Sequence, residues 1–230
     1  MQPFNVSEGD ALTSGVLFDL DGTLLDSAPD YVAALNTLLH EQGLPPVDFV
    51  QARQLVSRGA WALLKLGLGR EPHREQDLPL RIRMLDVYRG RLTLESRLFP
   101  GVEQLLQTLD ERGIPWGIVT NKPGFLTAPL LDHFGFTARS KCSIAGDTLA
   151  MAKPDPEPIL HACREMGIDP QSSIMVGDAE PDIRAGQAAG TRTVLCRYGY
   201  LPDREDWRSW KPDLVVDAIG ELLPHLPTSS

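Results

Sequence analysis

The sequence predicts an α/β fold in which a doubly wound parallel sheet carries an all-helical insert. From residue 100 onward, short apolar strand patterns alternate with amphipathic helix patterns, which is typical of right-handed βαβ units. Between about residues 30 and 95 only helical patterns occur. Ligands of open parallel sheets bind beyond the carboxyl ends of the strands. We therefore expect polar residues at those ends to form the functional site.

The first strand pattern is the apolar run Gly15–Phe18, which leads into two carboxylates, Asp19 and Asp21. Because side chains alternate along an extended chain, the two carboxylates begin on the same side. Two like charges at an apolar strand end repel each other and are costly there. A hard, oxygen-seeking cation such as Mg²⁺ is therefore expected between them. Gly22 follows and allows a sharp turn.

The insert is predicted from helical periodicity. Apolar residues between positions 30 and 41 recur at the spacing of one helix face, and Gly43 ends that pattern. Further helical patterns follow at residues 49–56, 61–66 and 78–91. We expect a core formed by residues 1–29 and 96–230 and a helical domain formed by residues 30–95.

Polar residues follow two later strand patterns as well. Thr120 ends the apolar run 116–120, and Asp178 follows the run Ser173–Gly177. Further strands are predicted at residues 143–145, 192–196 and 213–216. Because parallel strands end at one edge of the sheet, Asp19, Thr120 and Asp178 are expected to converge on one crevice.

Composition excludes several classes of function. The chain has 42% hydrophobic and 23% charged residues, as a soluble globular protein does. Its net charge of −9 and its pI near 5.0 argue against nucleic-acid and membrane partners. Three dispersed cysteines predict reduced, buried thiols and a cytoplasmic location. Residues 1–14 are predicted to be a tail rather than a signal peptide, and no apolar run is long enough to span a bilayer.

Four short motifs occur in a fixed order. They are Asp19-x-Asp21-Gly22-Thr23, Thr120-Asn121, Lys153-Pro154 and Gly177-Asp178-x-x-x-Asp182. Together they span most of the chain and resemble the phosphatase branch of the haloacid dehalogenase superfamily. The resemblance implies a Rossmann-type core, and it makes the helical insert the C1 cap of that family. One departure is that 14 residues precede Gly15, more than the family usually has.

The resemblance implies a role for each motif residue. Asp19 would be the nucleophile that forms an aspartyl-phosphate. Asp21 would be the general acid and base, and its backbone carbonyl would bind Mg²⁺. The Thr120 hydroxyl and the Asn121 N–H would hold a phosphoryl oxygen, and Lys153 would stabilise Asp19 and the transferred group.

Three more residues complete the implied site. Asp178 would ligate the metal, which would also relieve an unpaired charge at an apolar strand end. Asp182 would reach the metal through a water or pair with Lys153, although an acid at a helix N-terminus is also favoured by the dipole alone. The turn at Gly22 would aim backbone N–H groups at the phosphate.

Substrate choice is expected to come from the insert. Arg58 lies in a break between helical runs and could bind a substrate carboxylate bidentately. The alternative interpretation is that Arg58 is a solvated surface residue without a role in binding. Lys122 is a further candidate contact for a phosphate or a carboxylate.

The sequence is similar to phosphoglycolate phosphatases. Residues 98–101, 117–123 and 198–200 are also similar to bacterial N-acetylmuramate 6-phosphate phosphatases. Both substrates carry a carboxylate, so Arg58 does not separate them. A small closed pocket would favour phosphoglycolate, and a roomy one the amino sugar. A sugar phosphomutase of the same superfamily is a further alternative, whereas Asp21 argues against a dehalogenase. We expect a small phosphorylated acid or sugar as substrate and a monomer or homodimer.

Overall fold

The computed structural model describes residues 13–202 and 206–227, so most of the predicted tail at residues 1–14 lies outside the described residues. Within these limits the chain forms short strands and helices that alternate along most of its length. The strands are β1 (Gly15–Phe18), β2 (Leu25–Asp26), β3 (Arg97–Leu98), β4 (Trp116–Val119), β5 (Ser143–Ile144), β6 (Ser173–Gly177), β7 (Arg192–Cys196) and β8 (Leu214–Val216). The α-helices are α1 (Ala28–Glu41), α2 (Phe49–Arg53), α3 (Gly59–Leu68), α4 (Leu78–Arg89), α5 (Val102–Glu111), α6 (Gly124–His133), α7 (Glu157–Met166) and α8 (Glu180–Ala189).

The core is a six-stranded sheet in the order β5-β4-β1-β6-β7-β8. Every neighbouring pair in it is parallel. The central strand is β1, and its Val16 pairs with Trp116 on one side and Ile174 on the other. All four residues of β1 are buried, which explains why the run is apolar without alternation.

Helices cover both faces of the sheet. Val16 and Phe18 pack in one cluster with the apolar faces of α5 and α6. Leu17 points to the opposite face and packs in a second cluster with α7 and α8. This division follows from the alternation of side chains along β1. The predicted doubly wound α/β fold is therefore confirmed.

The segment between β2 and β3 is helical, as the periodicity predicts. Helix α1 begins at Ala28 rather than at residue 30, because Pro29 fits the first helical turn, where its missing N–H costs nothing. The predicted helix 49–56 is shorter: α2 ends at Arg53, and a 3₁₀ turn follows at Val56–Arg58. We propose that residues 30–95 form a cap domain on a core of residues 1–29 and 96–230.

A two-stranded ribbon joins the helical segment to the sheet. Strands β2 and β3 are antiparallel, with Leu25 opposite Leu98 and Asp26 opposite Arg97. The sequence does not predict this ribbon, because two-residue strands carry no periodicity. Both connections between the helical segment and the sheet therefore pass through one short pairing.

Two further predictions concern membrane-spanning segments and the cysteines. None of the described helices is both long enough and apolar enough to cross a membrane. Cys142, Cys163 and Cys196 are buried free cysteines, as predicted. Burial raises the pKa of the Cys142 thiol to about 12, which keeps it in the unreactive protonated form.

Candidate active site

A cavity of about 240 Å³ lies between the helical segment and the carboxyl edge of the sheet. Strands β1 and β4 and the loops after them form its floor, and the helical segment forms its roof. Most residues that the motifs predict for the site line this one cavity, namely Asp19, Asp21, Arg58, Thr120, Asn121, Lys153 and Asp182. Residues more than 100 positions apart in the chain are thereby brought together.

Lys153 is the centre of a buried ionic group. Its Nζ lies 2.9 Å from Asp19 Oδ1 and 2.7 Å from Asp182 Oδ1, and it also donates to the Val119 carbonyl at the end of β4. Burial alone would lower the pKa of Lys153, but the two carboxylates outweigh burial and raise it. Lys153 therefore remains a cation beside Asp19.

Asp19 stands at the end of β1 with its carboxylate buried. Burial raises the pKa of Asp19 to about 6, while the charge of Lys153 opposes that shift. A carboxylate with this pKa is mostly ionised at neutral pH, and it is less strongly solvated than a surface carboxylate. Such a group is suited to nucleophilic attack.

Asp178 follows β6 at the carboxyl edge of the sheet. Its Oδ2 accepts hydrogen bonds from Ser57 Oγ and from the Tyr200 N–H, both at 2.8 Å. Its Oδ1 is buried and has no hydrogen-bond partner among residues 13–202 and 206–227. Burial, followed by the nearby carboxylates, raises the pKa of Asp178 well above its ordinary value. An unsatisfied buried carboxylate oxygen is costly unless something outside the chain satisfies it.

The carboxylates of Asp19, Asp178 and Asp182 fit a divalent cation. Each offers one oxygen, and the three oxygens lie within 4.8 Å of one another. An all-oxygen donor set of carboxylates is the kind that Mg²⁺ and other hard cations prefer. A cation here would also satisfy Asp178 Oδ1 and offset the repulsion among three acids. The grouping of Asp182 with the other two carboxylates goes beyond the sequence-based prediction, which gave it a supporting role.

The side chain of Asp21 does not belong to that group of three carboxylates and contacts Lys122 and Ser27 instead. Lys122 Nζ lies 2.8 Å from Asp21 Oδ2 and 3.1 Å from Oδ1, and the Ser27 hydroxyl donates to Oδ1. Lys122 thus contacts a carboxylate of the chain itself, whereas the sequence suggested a substrate anion. The carboxylate of Asp21 is in this way held apart from the group around Asp178.

Asn121 fixes the loop that carries Lys153. The Asn121 Nδ2 donates to the Lys153 carbonyl at 2.8 Å, and the Lys153 N–H donates to Asn121 Oδ1 at 3.0 Å. Thr120 is buried, and its hydroxyl oxygen accepts from the Lys122 N–H at 3.2 Å. Both residues line the cavity, and the Asn121 side chain has a positioning contact that the motif alone does not reveal.

Gly22 lies in the tight loop after β1. Its N–H donates to the Leu25 carbonyl at 2.9 Å, so this N–H closes the loop and is not aimed at a phosphate. Gly22 has a φ of +85°, and a Cβ there would lie 2.2 Å from Asp178 Oδ2. The glycine is therefore needed for close approach of the backbone to Asp178, and its predicted contribution to substrate binding stays a prediction.

The helical segment contributes a second cation to the cavity that the sequence did not single out. Arg58 lines the cavity from the 3₁₀ turn, as predicted, and Arg81 lines it from α4. The Arg81 Nε is buried, and the described part of the chain offers it no hydrogen-bond partner. The Arg81 guanidinium lies 5.7 Å from the centroid of the Trp61 ring. Since α4 also contains Arg83 and Arg89, nothing in the sequence distinguishes Arg81 from its neighbours.

Tyr200 ties the site to the start of the helical segment. Its backbone N–H holds Asp178, and its hydroxyl accepts from the Ser27 and Ala28 N–H groups at 2.7 and 3.0 Å. A Cβ on the preceding Gly199 would lie 2.4 Å from Asp178. Tyr198-Gly199-Tyr200 therefore has a structural role, because Gly199 and Tyr200 pack against Asp178. From the sequence alone, this stretch is notable only for its similarity to known phosphatases.

Known proteins resemble this chain over nearly its whole length. The haloacid dehalogenase-like hydrolase family matches residues 13–190. An N-acetylmuramic acid 6-phosphate phosphatase from Pseudomonas aeruginosa is 40% identical over 92% of this chain and 93% of that protein. A phosphoglycolate phosphatase from Xanthomonas campestris pv. campestris is 43% identical over 90% of this chain and 93% of that protein.

A solved structure gives the same result. A predicted phosphoglycolate phosphatase from Haemophilus somnus superposes with a TM-score of 0.84 at 28% identity, and the match covers 94% of this chain and 99% of that one. The family match, the two relatives and this structure agree with the four ordered motifs. The chain therefore belongs to the haloacid dehalogenase-like hydrolases, and within them it is a phosphatase, a phosphoric monoester hydrolase.

Proposed function

We propose that the protein is a Mg²⁺-dependent phosphatase that hydrolyses a small phosphorylated carboxylic acid through an aspartyl-phosphate. Phosphoglycolate is the substrate that we favour. The observation that carries this proposal is that Asp19 contacts Lys153 in the cavity and that its carboxylate groups with those of Asp178 and Asp182. Strand ends that are far apart in sequence supply these groups.

In the first step, the Asp19 carboxylate attacks phosphorus, and the bond to the leaving oxygen breaks. Lys153, already 2.9 Å from Asp19, balances the negative charge that collects around the phosphoryl group. Asp21 donates a proton to the leaving oxygen, which departs as an alcohol. In the second step Asp21 takes a proton from water, and that water releases phosphate from Asp19.

Mg²⁺ would be held by the carboxylates of Asp19 and Asp178 and by the backbone carbonyl of Asp21. Asp182, whose carboxylate belongs to the same group, would support it while keeping its contact with Lys153. When bound, the ion supplies positive charge next to the phosphate, which would otherwise be repelled by the acids of the site. The unsatisfied Asp178 Oδ1 supports this assignment.

The size and lining of the cavity support a small acid. A cavity of about 240 Å³ lies below the roughly 300–1,000 Å³ of pockets that hold larger ligands, which favours a two-carbon acid phosphate over an amino sugar. Arg58 and Arg81 line the part of the cavity under the helical segment, where the carboxylate of such a substrate would lie. Guanidinium groups bind carboxylates well because their donors match the two oxygens.

N-acetylmuramate 6-phosphate is the second candidate. The observation in its favour is the 40% identity to the Pseudomonas aeruginosa phosphatase. Its larger sugar would require the helical segment to move outward from the position described here. That movement would break the contact of Ser57 with Asp178 and the hydrogen bond from Arg53 Nη1 to the Gly199 carbonyl at 2.9 Å.

A panel of phosphate esters tests the proposal. With Mg²⁺, kcat/KM is measured for phosphoglycolate, N-acetylmuramate 6-phosphate, hexose phosphates, nucleoside monophosphates and p-nitrophenyl phosphate. We expect phosphoglycolate to rank first, EDTA to abolish turnover, and phosphate release to need no sugar bisphosphate. A higher kcat/KM for the amino sugar would transfer the assignment to the second candidate.

The nucleophile is tested by Asp19→Asn, with the exposed Asp132→Asn as its matched control. We expect Asp19→Asn to remove measurable activity toward every ester of the panel and Asp132→Asn to leave it unchanged. Normal turnover by Asp19→Asn would refute the aspartyl-phosphate mechanism.

A further inference from the structure

Arg81 lies on the inward face of α4. Leu85 and Tyr88 follow it at the spacing of one helix face, and both are buried. Arg83 and Arg89 of the same helix are exposed. Charged side chains are rarely placed on an inward face unless a partner balances them, so the position of Arg81 needs an explanation.

The Arg81 guanidinium has a donor that the chain does not use. Its Nε is buried, and no residue within 13–202 and 206–227 accepts a hydrogen bond from it. Trp61 of α3 offers only its ring, whose centroid lies 5.7 Å from the guanidinium carbon, near the limit of about 6 Å for this attraction. A buried donor of a charged group without an acceptor destabilises a protein. Because Arg81 lines the cavity, a ligand there could supply the acceptor.

The acids of the cavity wall already have cationic partners. Three acids line the cavity, namely Asp19, Asp21 and Asp182. Lys153 contacts the first and the third, and Lys122 contacts the second. An anion that reached Arg81 would therefore not have to displace either lysine from its carboxylate.

Tyr31 adds a neutral donor to the cavity wall. It belongs to α1 and lines the same cavity as Arg81. Burial raises the pKa of Tyr31 above its ordinary value, although the positive charges of Lys122 and Arg81 oppose that shift. The hydroxyl therefore keeps its proton at neutral pH. A guanidinium and a phenol hydroxyl can both donate to the oxygens of one carboxylate.

Arg58, the arginine that the sequence singles out, is less suited to selecting the substrate. Its side chain is exposed, whereas the Arg81 Nε is buried. Ion pairs of exposed groups contribute little, because water and salt screen them. A buried guanidinium that lacks an acceptor gains more from a carboxylate, because the interaction is less screened.

We infer that Arg81 is the specificity-determining residue of this cavity: its guanidinium binds a carboxylate of the substrate, so that the protein selects phosphate esters of carboxylic acids over neutral esters. The inference rests on the proposed function and deepens it, because it assumes that the phosphoryl group of the same substrate lies at Asp19. It does not depend on whether phosphoglycolate or N-acetylmuramate 6-phosphate is the better substrate, since both carry a carboxylate.

The test compares esters that have a carboxylate with matched esters that lack it. Phosphoglycolate is paired with its primary amide, and N-acetylmuramate 6-phosphate is paired with N-acetylglucosamine 6-phosphate, which has no lactyl group. For each pair, the readout is the ratio of kcat/KM for the acid to kcat/KM for the neutral partner. We expect wild-type protein to prefer the acid in the pair that it hydrolyses faster. Arg81→Gln should lower that ratio about tenfold or more, as the loss of a hydrogen bond between charged groups does.

Three further variants complete the experiment. Arg89→Gln is the matched control, since Arg89 belongs to the same helix and is exposed, and it should leave the ratio unchanged. Arg58→Gln should lower the ratio by a smaller factor than Arg81→Gln. Arg81→Lys keeps the charge but loses the planar set of donors, so its ratio should lie between those of wild type and Arg81→Gln. If Arg81→Gln does not fold, as its melting curve would show, Arg81→Lys decides the outcome, and a wild-type ratio in that variant would overturn the inference.

The possible results separate this inference from the proposed function. An unchanged ratio in Arg81→Gln would overturn the role of Arg81, and so would a wild-type protein that hydrolyses the acid and its neutral partner equally well. A larger loss in Arg58→Gln than in Arg81→Gln would also overturn it and assign the selection to Arg58. Wild-type protein that hydrolyses no ester with Mg²⁺ would instead refute the proposed function itself.

Discussion

At the scale of single residues, the close approach of Gly22 to Asp178 constrains the site. A Cβ at Gly22 would lie 2.2 Å from Asp178 Oδ2, and the φ of +85° is one that side chains rarely adopt. We expect Gly22→Ala to displace Asp178 and to weaken both Mg²⁺ activation and turnover. The measurements are the Mg²⁺ concentration for half-maximal activity and kcat.

Gly43→Ala is the matched control for this substitution. Gly43 also has a positive φ, of +68°, but nothing lies within 4 Å of the Cβ position. Both variants share the backbone strain, of about 1 kcal/mol or more, and only Gly22→Ala adds the collision. Equal effects of the two variants on Mg²⁺ activation would contradict a role of Gly22 in placing Asp178.

Sequence reasoning finds residues whose role is local and misses those whose role is a distant contact. Asp19, Thr120 and Asp178 could be placed at one edge because each follows an apolar strand. The partner of Lys122 could not be predicted, since Asp21 is 101 positions away. Arg81 was missed for a related reason: its importance comes from which face of α4 meets the cavity, and the helix carries several arginines.

At the scale of elements, Asp30 joins the first turn of α1 to the chain that leaves the helical segment. Its Oδ2 accepts from the Glu95 N–H at 2.9 Å and from the Ser96 N–H and hydroxyl, each at 2.8 Å. Asp30 and Ser96 are fully buried. The carboxylate thus fixes both ends of the helical segment beside the β2–β3 ribbon.

We expect Asp30→Ala to lower the free energy of unfolding by about 2–4 kcal/mol, because buried donors lose a charged acceptor. Urea denaturation followed by circular dichroism measures the change. Asp86→Ala is the control: Asp86 is exposed and pairs with Arg83 at 3.2 Å, a type of contact worth less than about 1 kcal/mol. If Asp30→Ala lowers the free energy of unfolding no more than Asp86→Ala does, the hydrogen bonds of Asp30 do not stabilise the fold.

Long, strongly patterned elements are those that the sequence predicts best. Strands β6 and β7 have the predicted bounds, because apolar runs there are bounded by polar residues and glycine. The ribbon of β2 and β3 was not predicted, since its pairing of Leu25 with Leu98 is a tertiary contact without a local pattern. The two additional residues at the start of α1, Ala28 and Pro29, show that a proline can lie within the first turn of a helix as well as before it.

At the scale of the whole molecule, folding brings three carboxylates close together with only one lysine of the described chain in contact with them to balance their negative charge. Lys153 contacts Asp19 and Asp182, whereas Asp178 is held by neutral donors. The chain has a net charge of −9, so its long-range field adds no positive charge to the site. The stability of the protein should therefore depend on both pH and divalent cations.

The sign of the pH dependence follows from Asp19. Burial raises its pKa from 3.8 to about 6, so between these values the folded chain keeps a proton that the unfolded chain has released. The stability that this proton contributes is complete below about pH 4 and is lost as the pH rises through about 6. The pKa of Asp178 is raised in the same direction. Without Mg²⁺, this site should therefore destabilise the protein more at pH 8 than at pH 5.

Mg²⁺ should reverse that loss, because its ligands must be deprotonated. We expect the increase in Tm on adding Mg²⁺ to be larger at pH 8 than at pH 5, with a stabilisation of about 2.7 kcal/mol at about 100 times the Kd. Differential scanning fluorimetry at matched ionic strength, with Na⁺ in place of Mg²⁺, isolates the specific effect. Asp178→Asn should remove most of the increase at pH 8. An equal increase at both pH values, or one that survives Asp178→Asn, would mean that Mg²⁺ stabilises the protein at some other place than this group of carboxylates.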